Sequence, residues 1–104
     1  MVDYPKIIKK MMDLSTVKTN LENGDYSSVE ACLDDLQLIW DNCKLFNVEF
    51  SQIYKMSVRL ENLQAKLIQQ QFPHVKEYGK NNPSYKALQK AKGLTAKNDI
   101  LVEE

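Results

Sequence analysis

With 104 residues the chain has room for one hydrophobic core, and 43% hydrophobic with 27% charged residues excludes a disordered segment. Three glycines and three prolines are too few for an all-β chain with frequent turns. Fourteen Lys and Arg balance fourteen Asp and Glu, which argues against a protein that coats nucleic acid. The balance hides an asymmetry: residues 1–62 carry a net −3 and residues 63–104 a net +3, an acidic first part that suits a basic ligand.

Residues 1–12 read as the end of a loop with a helical turn, opened by Pro5 and anchored by Ile7, Ile8, Met11 and Met12. Asp13 is placed to cap a helix over residues 14–22, with Leu14, Val17 and Leu21 on one face. Asn23-Gly24 closes it in left-handed backbone. Ser27 and Glu30 have the spacing of a capping box, with Ser27 as the N-cap. Val29, Leu33, Leu36, Trp40 and Cys43 follow at helical intervals, so a long helix is expected over about residues 28–45. Residues 47–50 break the pattern. Ser51 then caps a third helix to about Gln71, striped by Ile53, Met56, Leu60, Leu63 and Leu67 and ended by Phe72-Pro73.

After residue 73 the chain turns polar and turn-rich. Asn82-Pro83 predicts a short basic helix to Lys92, stopped by Gly93, with the last eleven residues as a tail. The fold class is all-α: an antiparallel helical bundle over residues 1–72, with a C-terminal extension over 73–104. One short and two long amphipathic helices leave an apolar groove that calls for a further partner.

Constellations for catalysis are scarce, and an enzyme is not expected. His74 is the single histidine and follows a helix end, where it reads as solvent-facing. Cys32 and Cys43 lie 11 residues apart on one predicted helix, roughly 16 Å at ~1.5 Å per residue, too far to pair. They lack the spacing of a zinc site, and no disulfide framework points to an oxidising compartment. Asp34, Asp35 and Asp41 read as a solvated helix face, because neighbouring helix positions diverge by about 100°. No phosphate-cradling glycine loop occurs, so no cofactor is expected. A signal peptide and a membrane span are likewise not expected.

One constellation stands apart. Asn42-Cys43-Lys44-Leu45-Phe46-Asn47 ends the long helix and runs into Val48-Glu49-Phe50-Ser51-Gln52-Ile53. Together with Asp3-Tyr4-Pro5-Lys6-Ile7-Ile8, Met12-Asp13-Leu14-Ser15-Thr16-Val17 and Leu21-Glu22-Asn23-Gly24-Asp25-Tyr26, in that order, it resembles the bromodomain family over about residues 2–70. The resemblance implies a left-handed bundle of helices Z, A, B and C that reads acetyl-lysine. Here the match starts inside the ZA loop. Residues 14–22 align with helix A, 28–45 with B, 46–50 with the BC loop and 51–71 with C, so a bundle without helix Z is expected. The Trp-Pro-Phe shelf of the family is not in the sequence, and Met11 stands where a proline commonly precedes Met-Asp-Leu.

Carried over by position, the resemblance makes Asn47 the amide that donates to the acetyl carbonyl and Tyr4 the tyrosine that reaches the same oxygen through water. Ile53 takes the gatekeeper position, Phe46 and Cys43 line the pocket, and Val48 touches its rim. From spacing alone, Asn47 reads equally as a helix cap, Tyr4 as a packing tyrosine and Ile53 as core. The implied function is a non-catalytic reader of acetylated histone tails in the nucleus. The alternative is a helical dimerisation module with an incomplete acetyl-lysine pocket, its homodimer formed through the face left uncovered.

Overall fold

The computed structural model describes residues 7–103, with side chains up to Gly93. Among the described residues, α-helices run over Leu14–Glu22 (α1), Val29–Phe46 (α2), Gln52–Gln71 (α3) and Pro83–Glu103 (α4), and no strand occurs. The other three helices all pack on α2.

The helix starts follow local chemistry. Asp13 accepts from the Thr16 backbone N–H at 2.8 Å and from its hydroxyl at 3.1 Å. Ser51 accepts from Tyr54 N–H at 3.3 Å and starts α3. The cap of α2 is Ser28 and not the expected Ser27: Ser28 has extended backbone, and its Oγ accepts from Ala31 N–H at 3.1 Å. Glu30 still lies in the first turn, where a negative charge meets the positive helix end. Gly24 takes φ +70° after α1, the left-handed conformation in which glycine carries no Cβ penalty.

Leu33 of α2, Ile68 of α3 and Val75 form the buried apolar cluster, with Val29, Leu36 and Tyr78 packed on it. Ile8 and Val17 are also buried, and Leu38 is fully enclosed. Burial of a side chain of this size contributes about 1.5–3 kcal/mol. Trp40 adds a polar tie, donating from Nε1 to Gln64 Oε1 of α3 at 2.7 Å.

Three expectations are corrected. In α1 only Val17 turns inward; Leu14 and Leu21 are 58% and 56% exposed, because the helix meets α2 alone. The segment after Pro73 is not merely polar: Val75 and Tyr78 are enough apolar surface to bring it onto the core. Finally, the last helix does not stop at Gly93 but continues to Glu103. An interior glycine costs about 1 kcal/mol relative to alanine, which weakens a helix without ending it, and Gly93 does not adopt the left-handed conformation of a C-terminal stop.

The 75–82 segment is clamped to α2. Gly79 N–H donates to the Asp34 carboxylate, and Asn82 Nδ2 donates to the Asp34 carbonyl at 2.8 Å. Gly79 has φ +75°, and a Cβ there would lie 2.7 and 2.8 Å from Gln37 Cγ and Cβ, atoms near the backbone that cannot swing away. Gly79→Ala therefore combines left-handed strain with a steric clash and should destabilise the fold by about 2–4 kcal/mol in urea unfolding. A loss below about 0.5 kcal/mol would show that this clamp bears little of the stability.

Candidate functional site

The end of α2 carries the residue on which the expected site turns. Asn47 is the C-cap, with extended backbone at φ −100° and ψ 151°. Its backbone N–H donates to the Cys43 carbonyl at 3.1 Å, and its side-chain Nδ2 donates to the same oxygen at 2.8 Å. The Cys43 carbonyl is one of the orphan acceptors of a helix end, and Asn47 satisfies it twice. Cys43 Sγ lies 3.5 Å from Asn47 Nδ2 and 3.9 Å from the Ile53 carbonyl. Asn47, Cys43 and Ile53 are thus brought together across the loop between α2 and α3. Phe46, Val48 and Ile53 present apolar surface around them, at 38%, 79% and 55% exposure. Tyr4, the sixth expected site residue, lies outside the described residues.

The connecting loop is tight. Ser51 N–H donates to the Val48 carbonyl at 3.0 Å, and Phe50 between them has φ +69°. A bulky residue in that conformation costs about 1–2 kcal/mol, so the loop holds local strain next to Asn47. The Phe50 ring stacks at a tilt on Tyr54, centroids 6.4 Å apart, and helps to hold the turn.

A side chain not singled out in the sequence supports this region from below. Asn42 is 2% exposed, and its Nδ2 donates to the Lys10 carbonyl at 2.8 Å, tying the segment before α1 to α2. The same segment is held by Lys10 Nζ, 3.5 Å from Asp35 Oδ1. Asp35 Oδ2 in turn accepts from Tyr26 Oη at 2.7 Å, and Asn20 donates to that hydroxyl at 3.3 Å. Burial, with Asp35 adding to it, pushes the Tyr26 hydroxyl and the Cys32 thiol above their ordinary values. The signal in the sequence was Asn42 itself, a polar residue in the middle of an amphipathic helix on its inward side.

The aspartates expected on a solvated face are instead structural. Asp35 and Asp41 are 8% and 1% exposed, and Asp34 is half-buried in its bonds to the 79–82 segment. The divergence of neighbouring helix positions by about 100° does not put these residues in solvent here, because three helices pack on α2. Asp41 Oδ1 accepts from Gln37 Nε2 at 3.1 Å and pairs with Lys44 Nζ at 3.4 Å; Lys44 also reaches Glu61 Oε1 at 2.8 Å. Asp41 Oδ2 has no hydrogen-bond partner. This network floors a cavity of about 420 Å³ with a mixed polar and apolar lining between α2, α3 and α4, near Tyr54, Tyr78 and Tyr85. Burial works against the charge of Lys44, but Glu61 and Asp41 raise its pKa overall.

On the opposite side an apolar groove of about 380 Å³ runs between α1, α2 and α3, walled by Leu14, Leu36, Trp40, Leu60, Leu63 and Leu67. The stripe on α3, Ile53, Met56, Leu60, Leu63 and Leu67, is 43–60% exposed. Neither cavity is lined by Asn47, Cys43, Phe46, Val48 or Ile53. Among the described residues no group of three His, Cys, Asp or Glu side chains could hold a metal ion, and no helix is long and apolar enough to cross a membrane.

The family model of the bromodomain matches residues 1–59, more than half of the chain. The chain belongs to the bromodomain family. Among its relatives, Histone acetyltransferase GCN5 of Debaryomyces hansenii is 41% identical over 59 residues, 57% of this chain and 13% of that protein. Bromodomain adjacent to zinc finger domain protein 2B of Gallus gallus is 48% identical over 50 residues, 48% of this chain and 2% of that protein. The second bromodomain of Candida albicans Bdf1, solved with a bound imidazopyridine, superposes with a TM-score of 0.58 at 36% identity, covering 61% of this chain and 59% of that one. The chain therefore spans only a small part of the curated relatives it matches. Bromodomains are binding modules without catalysis of their own and generally read acetyl-lysine in chromatin proteins.

Within the network under α4, burial raises the Asp41 carboxyl above its ordinary 3.8, against the lowering by Gln37 and Lys44. A carboxyl that holds its proton more tightly when folded adds stability below 3.8, and that contribution is lost as the pH rises through the raised value. Asp41→Asn, which keeps the Oδ1 acceptor and removes the charge, should flatten the fall in stability across that window, read by urea unfolding at stepped pH. An unchanged pH profile would contradict this assignment.

Proposed function

We propose that this bromodomain binds acetylated lysine through Asn47, on histone tails and in the nucleus, without carrying out a reaction itself. The observation that supports this reading most is the way Asn47 is held. A primary amide has two N–H donors. One is spent on the Cys43 carbonyl and fixes the plane of the group; the other has only a sulfur at 3.5 Å, a weak acceptor. An acetyl carbonyl arriving over Phe46, Val48 and Ile53 would replace that weak contact with a full hydrogen bond. By its position in the family pattern, Tyr4 is the second group on the ligand oxygen, through water.

The same surroundings reject the unmodified side chain. Where a bound peptide covers Phe46, Val48 and Ile53, an ammonium held there would lose solvation worth several kcal/mol, whereas one neutral hydrogen bond adds about 1 kcal/mol net. Selectivity therefore comes mainly from excluding charge. In calorimetric titration, a histone-tail peptide with one acetyl-lysine should bind at least about tenfold more tightly than its unmodified form. Asn47→Ala should remove about 1–3 kcal/mol of that binding. Equal affinities for the two peptides, or full binding by Asn47→Ala, would overturn the proposal.

A second reading is favoured by the α3 stripe. Ile53, Met56, Leu60, Leu63 and Leu67 recur at alternating steps of three and four, the spacing of a coiled-coil seam, and all five are exposed. In this reading the face serves as a dimer interface. It predicts a dimer in light scattering that Leu63→Glu converts to a folded monomer; a wild-type protein that stays monomeric at all concentrations would refute it.

A further inference from the structure

The apolar groove between α1, α2 and α3 has a rim dominated by one sign of charge. From Leu60 to Gln71 it follows α3 for roughly 16 Å, at ~1.5 Å per residue, the reach of about three helical turns. On its α3 side, Arg59 and Lys66 lie one turn before and one turn after Leu63, and Lys55 continues the row one turn before Arg59. On its α1 side, Lys18 lies between Leu14 and Leu21, one turn from each. All four cations are exposed, and none has an ion-pair partner among the described residues. The acids do not offset them. Glu61, the acid of α3, faces the cavity toward α4 and is taken up by Lys44 and Gln37. That leaves Glu22, at the end of α1, against four cations.

We propose that this groove docks an amphipathic helix of a partner protein whose apolar stripe is flanked by Asp or Glu. An exposed apolar channel of this shape takes a helix by its apolar face, and the charges on the rim select which helix. A second copy of this chain does not supply one. In an antiparallel pair its α3 would bring the same Arg59 and Lys66 against these cations, and in a parallel pair the neutral Gln64 and Gln71. Its α4 carries Lys86, Lys90 and Lys92 and no acid up to Gly93. Its α2 holds Asp35 and Asp41 buried within its own fold. Each exposed ion pair contributes little, so the leucines hold the docked helix and the cations choose it. Asn47 does not line the groove, and the inference is therefore independent of the acetyl-lysine reading. It competes with the dimer reading for the same face.

The test uses two synthetic helices of about three heptads, with leucine at the seam positions and alanine elsewhere. One carries glutamate on both flanks of the seam, the other lysine. Trp40, the only tryptophan of the chain, forms part of the groove wall, and its fluorescence reports docking. At low salt the glutamate helix should bind at least about tenfold more tightly than the lysine helix, and added salt should shrink that ratio by screening the rim. Arg59→Glu combined with Lys66→Glu, both at exposed positions, should remove the preference while both helices still bind through the leucines. Leu63→Glu should abolish docking of the glutamate helix. Equal binding of the two helices at low salt, binding of neither, or a preference that the double charge reversal leaves unchanged would overturn the proposal. A Trp40 signal that survives Leu63→Glu would do the same. So would a wild-type dimer in light scattering that the glutamate helix does not dissociate, because it would give the face to a second copy.

Discussion

A polar group taken out of water must find a partner, and α2 buries an unusual number of them. Asp35, Gln37, Asp41 and Asn42 are all under 9% exposed on one helix. Each unmade hydrogen bond would cost about 1–3 kcal/mol, so the surrounding chain is arranged to supply donors and acceptors at these positions. Tyr26 and Lys10 answer Asp35, Lys44 answers Asp41, and Lys10 and Ser84 answer Asn42. These demands act beside apolar packing: Ile8 is buried in the segment before α1, and Val75 brings the approach to α4 onto Leu33 and Ile68.

The two sides of the α2–α3 pair are correspondingly unlike. Toward α4 the surface is mixed, with the charged and polar Gln37–Asp41–Lys44–Glu61 network as its floor. Toward α1 it is apolar and open, a groove walled by leucines and Trp40. The residues proposed to bind the ligand sit at neither of these surfaces but at the helix end, where the capped Cys43 carbonyl and a strained loop bring Asn47, Cys43 and Ile53 together. A helix end suits such a role because its last carbonyls must be capped by something, and an asparagine cap has a second donor left over.

Much of this was legible in the sequence. Asp13 and Ser51 announced their helices because capping is local chemistry, and the family was readable from four short segments in order. What escaped was set by packing that spacing alone does not reveal. Asp35 and Asp41 looked solvent-facing because neighbouring helix positions diverge, yet three helices pack on α2. Val75 and Tyr78 were hidden among polar neighbours. Gly93 looked like a stop, yet the helix passes through it, since a glycine ends a helix only where the backbone turns left-handed. Ser84 had no signal, because the side chain it bonds to is 42 residues away.

The account rests on a cap that doubles as a ligand donor, and a crystal structure with an acetyl-lysine peptide tests it most directly. The account predicts the acetyl oxygen within hydrogen-bond distance of Asn47 Nδ2, with the bond from the same nitrogen to the Cys43 carbonyl kept. A peptide seated in the leucine-walled groove or the tyrosine-lined cavity, with Asn47 bonded only to Cys43, would contradict it.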